Sequence, residues 1–217
     1  GRLEYRWDFG GSGVWGGDFS TSPAAEHAFS SSGRVRVTLQ VRDAAGHTAL
    51  LTKDIIVRPV CPPGMVSAVL DKGTAFCIDT YEWPNIAGEK PLASMSWVQA
   101  KISCLDAGKR LCTREEWVAA CRTAKRTTYP YGQKYEPGKC PAEGKAEYKA
   151  GSFPRCGEPG GARDMVGNVW EWVEDKKGDY PLMLGGSFRF GEVADCYLTS
   201  EGGVGLKSSE VGFRCCK

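Results

Sequence analysis

Histidine is nearly missing from this 217-residue sequence: only His27 and His47 occur, and both precede residue 60. The rest of the chain therefore cannot build a histidine-based metal site. No C-x-x-C spacing occurs either, which argues against a zinc ribbon. No apolar run approaches the roughly 18 residues that a membrane-spanning helix needs, so none is expected. An excess of one charge is also lacking. Net charge is +2, with seven Lys/Arg against six Asp/Glu in residues 1–60 and 21 against 20 thereafter. Without a basic face, nucleic acid is not an expected partner. The opening "GRLEYRWDFGG" has neither the charged nor the apolar region of a secretory leader. The expectation is that a leader has been removed or that the chain belongs to a longer one. Neither part of the sequence contains an internal repeat.

Cysteine is absent from the first 60 residues and plentiful afterwards: Cys61, Cys77, Cys104, Cys112, Cys121, Cys140, Cys156, Cys196, Cys215 and Cys216. An even number of dispersed cysteines predicts disulfides and an oxidising location, whether extracellular, periplasmic or on a cell surface. The length allows one large domain or two modest ones, and the residue pattern changes at the first cysteine. We therefore divide the chain into domains 1–59 and 60–217.

Residues 1–59 read as β structure. In "GRVRVTLQVRD", Val35, Val37, Leu39 and Val41 face one way, with Arg34, Arg36, Gln40 and Arg42 opposite. "DAAGH" supplies a turn, and "ALLTKDIIVRP" a second strand ending at Pro59. "YRWDFGGSG" predicts a short aromatic strand running into a glycine turn. From Cys61 onward, short helices and loops replace this pattern. Ser96 with Gln99, and Thr113 with Glu116, have capping-box spacing. Gly108 suits a helix C-terminus, and Trp117, Ala120, Cys121 and Ala124 fall on one predicted helical face.

The pieces "YRWDFGG", "EHAF", "SGRVRVTLQVRDAAG" and "DIIVRP" resemble the polycystic kidney disease (PKD) domain, an immunoglobulin-like β-sandwich common in secreted proteins. The acid that the family carries after its Phe-Gly pair is Gly11 here. The resemblance covers the later half of such a domain and implies a partial sandwich whose opening strands lie before Gly1. In that pattern His27 is a packing residue and His47 a solvated turn residue.

Residues 61–217 resemble the formylglycine-generating enzyme / sulfatase-modifying factor family, a variant of the C-type lectin-like fold. The motifs "FCIDTYEWPN", "SWVQAKISCLDAGKRLCTREEWVAACR", "YPYG", "GSFP", "DMVGNVWEW", "LGGSFR" and "GFRCC" occur in family order. The implied fold is α+β, loop-rich and disulfide-bonded. The family includes copper oxidases that convert a sulfatase cysteine to formylglycine, iron enzymes, and modules without known catalysis.

In the copper oxidases two cysteines between the GGS and GFR strands bind Cu(I), for which soft thiolates are well matched. Here that interval contains only Cys196, and the resemblance pairs it with Cys121 in a disulfide. It likewise pairs Cys104 with Cys215. Cys61 with Cys77 and Cys140 with Cys156 would close local loops, leaving Cys112 with Cys216, although spacing alone does not determine connectivity. Ser187 and Trp170 match positions near the family's active groove, but the reading preferred for them is a turn hydroxyl and a core aromatic. With neither the thiol pair nor a histidine cluster, no copper or iron is expected and no catalytic residue is assigned.

The resemblance assigns "DMVGNVWEW" to a loop around a structural Ca²⁺, with side-chain oxygens from Asp164 and Glu171 and carbonyls from Gly167 and Val169. Mixed carboxylates and carbonyls are the donors this ion takes. The other reading is a tight turn with Glu171 in a local hydrogen bond and no ion. Trp170 and Trp172 are expected to brace opposite faces of a strand. The family's second calcium site has no counterpart in "KCPAEGKAEYKAGSFP". The functional expectation is a non-catalytic binding or structural module of a secreted or surface assembly, with a protein or glycan ligand or neighbouring subunits as partner. The loops "RTTYPYGQKYEPGK" and "FGEVADCYLTSEGGVGLKS" would present Tyr129, Tyr131 and Tyr197, with Tyr131 reading also as a core residue. The alternative is a divergent enzyme of the family acting on a polypeptide cysteine through some other thiol pair.

Overall fold

The computed structural model describes every residue except Thr123. It divides into two compact units, Gly1–Pro59 with Lys72–Ala75, and Val60–Asp71 with Phe76–Lys217. Each is described on its own.

The first unit is a three-stranded antiparallel sheet of β1 (Glu4–Asp8), β2 (Gly33–Arg42) and β3 (Thr48–Val57), in the order β1-β2-β3. Alternation sets the register: Val35 lies opposite Ile55, Val37 opposite Lys53 and Leu39 opposite Leu51. Because successive side chains point to opposite faces, these pairs share one face, and Arg34, Arg36 and Asp54 share the other. β1 ends where the Asp8 carboxylate accepts amide hydrogens from Gly10, Gly11 and Gly13. These bonds hold Asp8 below the usual carboxylate range, that from Gly10 most of all. The β2–β3 turn is held by Asp43, whose carboxylate accepts from the amides of Ala45 and His47. His27 stacks on Phe9 at 4.3 Å and meets Phe29 edge-on, while His47 is exposed.

The second unit contains β4 (Met65–Val69), β5 (Ala75–Asp79), α1 (Trp97–Asp106), β6 (Arg110–Leu111), α2 (Arg114–Arg122), β7 (Trp170–Lys177), β8 (Tyr180–Leu184), β9 (Thr199–Glu201), β10 (Val211–Phe213) and β11 (Cys215–Cys216). Its strands form two four-stranded sheets, β4-β5-β11-β6 and β10-β7-β8-β9. Both helices begin as their spacing predicts. The Ser96 side chain accepts from the Gln99 amide and Gln99 reaches back to the Ser96 amide. Thr113 and Glu116 exchange the same pair of bonds. Gly108, at φ +67°, turns the chain after α1.

The sequence expectation for α2 fails at its end. The helix stops at Arg122, Ala124 is exposed beyond it, and the buried set is Glu116, Trp117, Ala119 and Cys121. Trp170 and Trp172 do not brace opposite faces of β7. Both belong to one apolar cluster with Trp97, Leu111 and Phe213, as residues two apart on a strand must share a face.

Five disulfides join Cys61 to Cys77, Cys104 to Cys215, Cys112 to Cys216, Cys121 to Cys196, and Cys140 to Cys156. Three of them tie the helical region to the C-terminal part of the chain across 75 to 111 residues. Closing a longer loop removes more unfolded-state entropy. Replacing both Cys104 and Cys215 with alanine is therefore expected to destabilise more than replacing Cys61 and Cys77. Their separations are 111 and 16 residues, a difference of about 1–2 kcal/mol in the chain-entropy treatment. Denaturant midpoints of the two double variants, with non-reducing peptide maps to show the other bridges intact, provide the measurement. Equal midpoints would place the stabilisation in local geometry instead.

Candidate metal centre

The 164–171 loop is built from unusual backbone geometry. Asp164, Gly167 and Asn168 all have positive φ, at +54°, +82° and +55°. Glycine is required at 167, because a Cβ there would stand 2.5 Å from the Pro141 carbonyl oxygen. The Gly167 amide donates to the Gly185 carbonyl and the Asn168 amide to that of Pro141. The Asn168 side chain, fully buried, accepts from the Tyr148 amide and donates to Glu82 Oε1 at 2.9 Å. The loop is thereby clamped between distant parts of the chain.

Four acidic or amide side chains are buried here: Glu82, Asp164, Asn168 and Glu171. Their oxygens are not equally engaged. Glu171 accepts two bonds from the fully buried Arg214, each 2.6 Å, and a third from Trp117 Nε1 at 2.7 Å. Arg214 also donates to the carbonyls of Asp79, Thr80 and Arg163. Asp164 accepts through Oδ2 from the Gly151 amide, but Oδ1 is buried with no hydrogen-bond partner. Glu82 Oε2 is in the same condition. Among the described residues, the carbonyls of Gly167 and Val169 accept no hydrogen bond.

An unpartnered buried carboxylate oxygen carries a desolvation cost that a proton, a cation or a buried water can relieve. Burial accordingly pushes the Asp164 carboxyl up to about 6, with the Glu171 charge adding to the rise and the Gly151 amide and Arg214 opposing it. Burial raises Glu82 well above its ordinary range, and the nearby Asp164 charge raises it further. The donors left over are one oxygen each from Asp164 and Glu82 and the carbonyls of Gly167 and Val169, an oxygen-only set that suits a hard cation. These residues fit calcium. Among the described residues no three His, Cys, Asp or Glu side chains group as a metal cluster, so such an ion would take most of its ligands from carbonyls and water.

Three of the four expected ligand residues thus keep an oxygen without a hydrogen bond; in the fourth, Glu171, Oε1 accepts from Arg214 and Oε2 from Arg214 and Trp117. Glu82 went unassigned from sequence. It lies inside the quoted "FCIDTYEWPN", but nothing local marks its carboxylate as facing residue 164.

The groove residues are placed as follows. Ser187 is fully buried and its hydroxyl donates to Glu210 Oε2 at 2.6 Å, while Arg189 holds Oε1 of the same carboxylate at 3.1 Å. Trp170 is buried and meets Phe190 edge-on. All ten cysteines are bridged.

Comparison with known proteins places this arrangement. The sulfatase-modifying factor enzyme 1-like domain matches residues 79–217. The chain belongs to that family. Residues 1–56 match the PKD domain. The chain is 40% identical over 99 residues to the inactive C-alpha-formylglycine-generating enzyme 2 of Bos taurus, covering 39% of this chain and 33% of that protein. It is 34% identical over 102 residues to the formylglycine-generating enzyme of Mus musculus, covering 39% and 27%. The chain thus spans about a third or less of the length of these relatives. The crystal structure of CarF superposes with a TM-score of 0.53 at 17% identity, covering 72% of this chain and 98% of CarF, a likeness of fold. The family domain has the C-type lectin-like fold, preceded by PKD-like β structure.

Proposed function

We propose that this chain is a non-catalytic binding or structural module of a secreted or surface assembly, and that its 164–171 loop carries a structural Ca²⁺. The observation that carries the first part is the state of the cysteines. Cys196, the one thiol position between the GGS and GFR strands, is bonded to Cys121, so no thiolate pair remains in that interval for a soft metal. The identity to a relative named as an inactive enzyme supports the same reading. Five disulfides suit an extracellular, periplasmic or surface location. Among the described residues no helix is long and apolar enough to cross a membrane.

Asp164, Glu82 and the carbonyls of Gly167 and Val169 would hold the ion, which would neutralise the two buried carboxylates and lock the loop. Recognition of a protein or glycan falls to the loop after β8, where Val193 and Tyr197 are exposed at 63% and 41%. The other aromatic loop contributes less than its composition predicts. Tyr129 is buried, its hydroxyl donating to the Glu192 carbonyl and its ring stacked on Tyr131.

Protein produced in an oxidising compartment is expected to contain about one equivalent of calcium, without stoichiometric copper or iron, and to leave a cysteine-containing sulfatase peptide unmodified. Elemental analysis and mass spectrometry of the peptide check this. One equivalent of copper with oxygen-dependent turnover would establish the divergent-enzyme reading instead.

A further inference from the structure

Of the ten cysteines, Cys61 alone is not buried. Its bridge to Cys77 and the bridge from Cys140 to Cys156 each span a sequence separation of 16 residues. Cys140 and Cys156 are both buried, at 6% and 0% exposure, and so are all six cysteines of the three longer bridges. Thiol–disulfide exchange begins when a thiolate reaches one sulfur of a bridge, so its rate depends on access. Loop length is matched between the two short bridges, and access is what separates them.

The partly exposed bridge also sits where the chain enters the second unit, next to the fully exposed Val60. Past Pro62 and Pro63 the backbone is held again at Gly64, whose carbonyl accepts from the Thr80 amide, the Thr80 hydroxyl and Asn85 Nδ2 at 2.9, 2.9 and 2.7 Å. Cys77 lies inside β5 and exchanges both backbone bonds with Lys217, at 3.0 and 2.8 Å. Opening the bridge would therefore leave Cys77 and the chain from Gly64 onward in place. The covalent clamp at Cys61 would give way to the hydrogen-bonded one at Gly64. This lengthens the connection from the end of β3 by three residues, about 10 Å when extended.

We propose that Cys61–Cys77 is a redox clasp, opened by an external dithiol while the other four bridges persist. One thiol of the reagent loses its proton to solvent and attacks Cys61 Sγ. The Cys61–Cys77 bond breaks as the mixed disulfide forms, and Cys77 leaves as a thiolate that takes a proton from solvent. The second thiol of the reagent, deprotonated in turn, attacks the reagent's own sulfur in the mixed disulfide and releases Cys61, which is protonated likewise. The bridge has gained two electrons and the dithiol departs as a disulfide.

The test treats the full oxidised chain with graded dithiothreitol, quenches with iodoacetamide at intervals and maps the alkylated cysteines. Cys61 and Cys77 are expected to be labelled together, about tenfold or more faster than Cys140 and Cys156, because access governs the attack. Amide exchange in protein with only this bridge open should quicken across residues 60–65 and stay unchanged in α1 and α2. The double variant Cys61→Ala, Cys77→Ala should show the same exchange pattern without reagent and take up no label over the same interval. Opening of Cys140–Cys156 at an equal rate would overturn the proposal. Simultaneous opening of all five bridges would also overturn it, since global unfolding would then gate the reaction. Selective opening that leaves exchange at 60–65 unchanged would reduce the bridge to an accessible one that clasps nothing.

Discussion

Glu171→Gln is expected to lower the unfolding free energy by about 3–5 kcal/mol, the usual cost of removing one partner of a buried ion pair. The loss should appear with or without calcium. The substitution leaves the Arg214 guanidinium, which has no solvent exposure, without the carboxylate that binds both Nε and Nη2. It also weakens the acceptor of the buried Trp117 indole. For a domain of this size each kcal/mol shifts the melting temperature by about 2–4 °C, so a fall near 10 °C is expected. Arg214→Met should be at least as damaging, because it strands Glu171 and withdraws the donor from three carbonyls. A small loss in calcium-free protein, with the ion's effect abolished, would show instead that Glu171 acts chiefly as a ligand.

Chelation is expected to lower stability and to change its dependence on pH. An ion that binds only the folded state contributes about 2.7 kcal/mol when present at a hundredfold excess over its dissociation constant. Without it, Asp164 retains its proton up to about pH 6 in the folded protein, because burial penalises its charged form. The unfolded chain releases that proton near the ordinary value of about 3.9. Between these values the folded state binds more protons than the unfolded one, so stability falls as pH rises. The stabilisation is full below about pH 4 and is lost through pH 6, a change on the order of 3 kcal/mol. Glu82, raised further by burial and by Asp164, extends the decline upward. Calcium needs both carboxylates ionised, so its contribution grows over the same range and should flatten the profile. Denaturant melts at stepped pH, in calcium and in chelator, provide the measurement. Asp164→Asn and Glu82→Gln should each abolish the difference between the two curves. Superimposable curves for the unaltered protein would remove calcium from this loop.

Local signals carried far in this chain. The Ser96–Gln99 and Thr113–Glu116 caps mark helix starts that the structure places at Trp97 and Arg114. The alternation of residues 34–42 marks a strand with its apolar face in register against β3. Each depends on groups a few residues apart, whose geometry the backbone dictates once the element forms. Periodicity without an end signal overran at α2, which stops before Ala124, and loop composition did not reveal that Tyr129 is buried, stacked on Tyr131.

Dispersed cysteines and ordered motifs were sufficient by themselves to predict the disulfides and the family. The division of labour among the acids was decided elsewhere. Glu82 reaches the 164–171 loop through an Asn168 bond spanning 86 residues, and Arg214 claims Glu171 across 43. Glu171 and Asp164 are alike in the sequence, each an acid in one motif. They differ because the fold delivers a guanidinium to one and leaves an oxygen of the other facing no donor. In a low-dielectric interior, that partner rather than the residue type determines whether a buried carboxylate oxygen is satisfied by the fold or left without a donor.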